Sequence, residues 1–267
     1  MPETPLPEAQ SSADVPLKER PQLLQRAEAR AQYIPRIVTR SIESLEKWGV
    51  QEEGLYRISG RSSHSSRLRA LWDSPAMDLD MAAIAPADLD VHAVCSVLKM
   101  YLRELPDPLL PKDVTQVFDR LCTEAAGGSP LTPDMQRQLA PQLAPLMAQV
   151  PICEWYLLRE LADHLGRLTE PATVERTKMP LSNLTLVLAP TVQISVVTLM
   201  TVVQLRDVLF NDETRPAPDA ALAHEVLEGD AYRQSTMARG WRGADTPASA
   251  SRQIPSVKSV TDPDRPS

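Results

Sequence analysis

"LDVHAVCSVLKMYLRELPDPLLP", Leu89 to Pro111, is the most regular stretch of the chain and decides how the rest is read. Val91, Val94, Leu98, Tyr101, Leu102 and Leu105 recur at helical spacing and form one apolar stripe. Asp90 stands where a side-chain cap belongs, and Pro106 ends the run. The opposite face carries His92, Ser96, Lys99 and Arg103 in a single row. Such a row is either a solvated face or one turned toward a partner, and spacing alone does not choose between them.

The same period recurs on both sides of this segment. "YIPRIVTRSIESLEKWG" places Ile34, Val38, Ile42 and Leu45 on one face, with Pro35 suited to the first turn and Gly49 to a C-terminal cap. "SSHSSRLRALWD" predicts a helix capped by Ser62 or Ser63, with Leu68, Leu71 and Trp72 inward. Further helices are predicted in "KDVTQVFDRLC", "TPDMQRQLAPQLAPLMAQ", "ICEWYLLRELADHLGRL", "PLSNLTLVLA" and "VVTLMTVVQLRDVLF", and a short one near Leu23 to Arg30. Pro141 and Pro145 are expected to bend or split the helix that contains them. No segment alternates like a strand, so the predicted fold class is all-α.

Composition agrees with that reading. Of 267 residues, 43% are apolar but only 4% aromatic, which favours an aliphatic core built from helices. Twenty-five prolines against nine glycines suit many separate helices with sharp starts and stops. Residues 1–13 are polar and proline-rich, and the apolar period is lost after Phe210, so 14–210 is expected to form one domain between disordered tails, 1–13 and 211–267.

Several function classes are poorly supported. A net charge of −7 argues against nucleic acid as the main partner. Cys95, Cys122 and Cys153 lie apart in apolar patterns and read as reduced, intracellular thiols, consistent with a cytoplasmic protein open to membrane recruitment through partners. The first residues show neither the basic nor the apolar region of a secretory leader. Met179 to Leu205 carries no charge and is long enough to span a bilayer, but polar residues interrupt it, and two core helices broken near Pro190 are expected instead. There is no phosphate-cradling P-loop and no G-x-S-x-G elbow. "HEVLE", from His224, has Glu228 where a zinc-protease helix needs its second His. No metal site is expected.

"EGLYRISG", Glu53 to Gly60, then raises a question, because Arg57 sits among Leu55, Tyr56 and Ile58 in a run that reads as buried. A guanidinium stays charged and is rarely left unpaired in a core. Either Arg57 pairs with an internal carboxylate such as Glu53, or it is held out for something external. Asn183, at the start of another apolar run, is open in the same way, as an internal hydrogen-bonder or an exposed recognition group.

Taken in order, these segments resemble the RhoGAP domain, the catalytic domain of Rho-family GTPase-activating proteins. The similarity runs from "VPL" at Val15, through "YIPRIVTRSIESLEKWGVQEEGLYRISG" and the Leu89–Pro111 signature, to "TKMPLSNLTLVLAPTV". "LVLAPTVQIS" is most similar to the branch with Ral-binding protein and the fungal polarity GAPs. The Phe-Gly usual before "VPL" is Ala13-Asp14 here. The resemblance implies an activator rather than an enzyme in its own right. Arg57 would be the arginine finger, Lys99 and Arg103 the Lys and Arg of the central helix, and Asn183 the residue that meets the GTPase. Leu55, Tyr56 and Ile58 would pin the loop to the core while Gly54 and Gly60 allow its turns. Lys99 and Arg103 are both expected to act on the GTPase-facing side, Lys99 in association and Arg103, with its planar fork, partly by bonding carbonyls that shape the loop. The partner would be a Rho-family small GTPase in its GTP-bound form. No cofactor of its own is implied, since GTP and Mg²⁺ travel with the GTPase. A catalytically silent module with the same fold is the alternative.

Overall fold

Prolines and short polar caps set where the helices begin. The computed structural model describes residues 29, 31–73, 79–85 and 87–217, and among them all regular structure is helical. The helices are α1 (Arg36–Lys47), α2 (Ser62–Trp72), α3 (Val91–Arg103), α4 (Lys112–Ala126) and α5 (Pro133–Met147). They continue as α6 (Ile152–Leu168), α7 (Pro171–Thr177), α8 (Leu181–Val192), α9 (Val196–Gln204) and α10 (Arg206–Leu209). Pro35, Pro111, Pro151 and Pro180 immediately precede α1, α4, α6 and α8, where a missing N–H costs nothing. Asp90, Thr132 and Ser195 cap α3, α5 and α9 through their side chains.

Helix α3 is central. It packs against α1, α2 and α8, and Val94, Cys95 and Leu98 on it are fully buried. Each such aliphatic side chain contributes about 1.5–3 kcal/mol by leaving water. The inward residues expected on α1, Ile34, Val38, Ile42 and Leu45, are all in the core. On α2 only Leu68 is, because Leu71 and Trp72 lie half-buried at the rim.

Several boundaries differ from the sequence expectation. Arg61, with no side-chain cap bond, precedes α2 in place of a serine cap. Gly49 begins a short 3-10 turn, Gly49–Gln51, rather than capping α1. Helix α5 runs unbroken through Pro141 and Pro145. Both prolines are exposed and lie four residues apart, so the carbonyls they leave unpaired face water. The break expected near Pro190 falls three residues later, at Gln193, whose φ of +57° ends α8 and turns the chain by 116° into α9. No single helix among the described residues is long and apolar enough to cross a membrane.

The packed chain also continues past Phe210. Thr214 is buried, its hydroxyl donates to Leu209 O at 2.7 Å, and Asn211 Oδ1 accepts from the Glu213 and Thr214 amides. The predicted helix near Leu23 and most of the predicted tail lie outside the described residues.

Candidate functional site

The loop between α1 and α2 is built around two left-handed residues. Gly54 has φ +72° and Tyr56 φ +67°. Glycine adopts this region freely, whereas a residue with a Cβ pays of order 1–3 kcal/mol and needs its surroundings to enforce it. Around Gly54 the loop closes on itself. Its carbonyl accepts from the amides of Arg57 and Ile58, both at 2.9 Å, and its own amide donates to Thr177 O at 2.7 Å. That last bond ties the loop to the end of α7, four residues before α8 begins at Leu181.

Tyr56 is held at both ends. Its ring is buried and its hydroxyl lies 2.9 Å from His164 Nε2 on α6. The other nitrogen, Nδ1, is 2.8 Å from Glu46 Oε1 on α1, and Arg167 donates to the same oxygen. Burial raises the Glu46 carboxyl, but hydrogen bonds and charge from His164 and Arg167 outweigh it and hold the group below its ordinary range. Burial pushes the Tyr56 phenol well above its ordinary value. The Tyr56 carbonyl accepts from Lys99 Nζ at 2.5 Å. Burial, with the nearby Arg103 charge adding to it, lowers the Lys99 ammonium.

The far side of the loop is pressed onto α3. Gly60 N donates to Ser96 Oγ at 3.2 Å, and Ser96 in turn donates to His92 O. A Cβ on Gly60 would lie 2.1 Å from Ala93 N, so glycine is needed there for close approach and not for a turn. Asp90 accepts from Arg61 N at 2.9 Å as well as capping α3. Burial raises its carboxyl, and the three backbone amides of Arg61, Ala93 and His92 more than reverse that.

Arg57 emerges from this frame exposed. Among the described residues its guanidinium makes no hydrogen bond or ion pair, and Glu53, the expected internal alternative, is also exposed and does not pair with it. Leu55 and Tyr56 are in the core, but Ile58 is 41% exposed and pins nothing. Of the two cations of the α3 row, it is Lys99 and not Arg103 that bonds the loop. Lys99 holds the loop carbonyl, while Arg103 is exposed with no side-chain bond among the described residues. Asn183 is exposed on the first turn of α8, and Leu186, one turn on, is 64% exposed.

The structure thus joins Arg57's loop directly to Lys99, with Arg103 one turn further along α3 and Asn183 reached through Thr177 and α8. Glu46, His164 and Arg167 were not singled out from sequence. His164 is a lone histidine on an apolar helix, and nothing in its spacing points to Tyr56, 108 residues away. Among the described residues no cluster of side chains could hold a metal ion.

Comparison with known proteins agrees with this architecture. RalA-binding protein 1-A of Xenopus laevis is 33% identical over 165 residues, 61% of this chain and 22% of its own. Active breakpoint cluster region-related protein of Xenopus tropicalis is 34% identical over 158 residues, covering 59% of this chain and 17% of its own. Rho GTPase-activating protein gacY of Dictyostelium discoideum is 35% identical over 157 residues, again 59% of this chain and 20% of its own. The chain therefore matches about a fifth of the length of these relatives. Among solved structures, the BH domain of GRAF, the GTPase regulator associated with focal adhesion kinase, superposes with a TM-score of 0.53 at 23% identity. That match covers 68% of this chain and 95% of the GRAF domain, and shows a shared fold. The RhoGAP domain family itself matches residues 35–195, from the start of α1 to the start of α9, and the chain belongs to that family.

Proposed function

We propose that this protein accelerates GTP hydrolysis by a Rho-family small GTPase in its GTP-bound form, with Arg57 inserted into the partner's nucleotide site. Membership of the RhoGAP family supports GTPase activation in general. The observation that carries the finer reading is an exposed, unpaired arginine on a loop whose neighbours on both sides are fixed. A guanidinium with no internal partner has its five donors available for an external anion. In such a partner, negative charge builds up between the β- and γ-phosphates in the transition state, and an arginine supplied in trans offsets it, an effect of about 10³–10⁵ in rate. GTP and Mg²⁺ come with the GTPase. Arg103 and Asn183, whose side chains are exposed and free of bonds among the described residues, are the groups left to meet the partner's surface.

Single-turnover hydrolysis by a panel of Rho-family GTPases, with and without this protein, tests the reading. Arg57→Ala is expected to lose a factor of about 10² or more in stimulated rate while still binding the GTP-loaded partner. Arg57→Lys should recover little, since an ammonium cannot contact phosphate and a second acceptor with one planar fork. Wild-type stimulation by Arg57→Ala would show instead a docking module that does not use this residue.

A further inference from the structure

The backbone at Tyr56 is in a conformation its side chain disfavours, immediately before the exposed Arg57. Something must hold it there. The restraint reaches the loop from α1 and α6, through groups that play no part in the function proposed above.

Glu46, ionised, can only accept hydrogen bonds, so His164 Nδ1 carries the proton directed at it. Nε2 of the same ring bonds the Tyr56 hydroxyl, and which of the two donates follows the charge of the ring. The bonds form one continuous chain, Tyr56 to His164 to Glu46, with Arg167 closing the far end. His164 is fully buried, so water cannot substitute for either bond. A hydroxyl in a core needs one partner only, and many arrangements would supply it. Here the partner is itself oriented by a charged pair anchored on α1 and α6, which fixes the phenol in direction as well as in place. With Lys99 holding the carbonyl of the same residue, Tyr56 is fixed at both ends of its length.

We propose that His164 is a positioning residue for Arg57: with Glu46 and Arg167 behind it, it locks the Tyr56 ring and so enforces the left-handed turn that aims Arg57 outward. This rests on the reading of Arg57 given above.

The test uses Tyr56→Phe, which keeps the ring and removes one hydroxyl, beside His164→Leu and His164→Gln. Hydrogen exchange reads the loop with no GTPase present. In Tyr56→Phe and His164→Leu the Arg57 and Ile58 amides, both bonded to Gly54 O, should exchange about tenfold faster. His164→Gln, whose amide oxygen can accept from Tyr56, should restore part of that protection. At saturating protein, Tyr56→Phe should lower the single-turnover rate about tenfold, with the half-saturating concentration within about twofold of wild type. A lower melting temperature with unchanged Arg57 and Ile58 exchange, or an unchanged maximal rate, overturns the proposal and leaves the finger reading standing. Full stimulation by Arg57→Ala, measured alongside, overturns the finger reading instead.

Discussion

Lys99 aims its ammonium at Tyr56 O, and that single bond ties the α3 row to the loop. From the sequence, the row of His92, Ser96, Lys99 and Arg103 was legible as one face, but the direction of each side chain was not. Lys99 lies one turn closer to the loop, and a flexible stem with a compact charge reaches a carbonyl that Arg103 does not. Lys99→Met keeps the stem and removes the donor. It is expected to cost about 1 kcal/mol of stability and to lower the stimulated rate rather than only weaken association. Equal rates at saturation, with a raised half-saturating concentration, would return Lys99 to the partner-facing role. Arg57 was legible as a choice between an internal pair and an outward one, and its side chain is exposed and does not pair with Glu53. What could not be read was that Tyr56 would adopt positive φ, since a bulky residue there contradicts local preference and follows only from partners distant in the chain.

Helices were the most legible part of the molecule, because a stripe such as Val91–Val94–Leu98–Tyr101 needs no tertiary information to be recognised. Junctions were less so. Pro141 and Pro145 signal a break by local rule, yet α5 continues because the freed carbonyls lie on its wet side. The turn at Gln193 carried no glycine to announce it. Gly60 looked like a turn residue, but the need for it comes from α3, whose backbone lies where a Cβ would go. Gly60→Ala must therefore push the α1–α2 connection away from α3 and stretch the Gly60–Ser96 bond. A loss of about 1–3 kcal/mol in denaturant unfolding is expected, with reduced stimulation at saturating protein. An unchanged unfolding midpoint would mean that the connection yields without cost.

Across the whole molecule, acid should act on the support of the loop in a definite direction. The folded Glu46 carboxyl lies below its ordinary range, so the stability it contributes is complete above the ordinary Glu value and is lost as pH falls through the folded one. Asp163 and Glu154 are shifted upward, burial being the first cause in both, and favour the folded state as they take up protons. The two effects oppose each other in the wild-type curve, so comparison with Glu46→Gln isolates the first. The wild type should melt higher than Glu46→Gln at pH 7, and the gap should close below about pH 4; a gap that widens with acid would refute the assignment. The 116° turn at Gln193 has a different kind of consequence, for the chain before it folds. Only that turn, and the packing of α8 and α9 into the core, hides the uncharged run from Met179 to Leu205. In a denatured or newly made chain the run is a long adhesive segment without a gatekeeping charge. Refolding yield should fall steeply as protein concentration rises. Val197→Lys, at a site 46% exposed in the fold, should restore yield with little change in melting temperature.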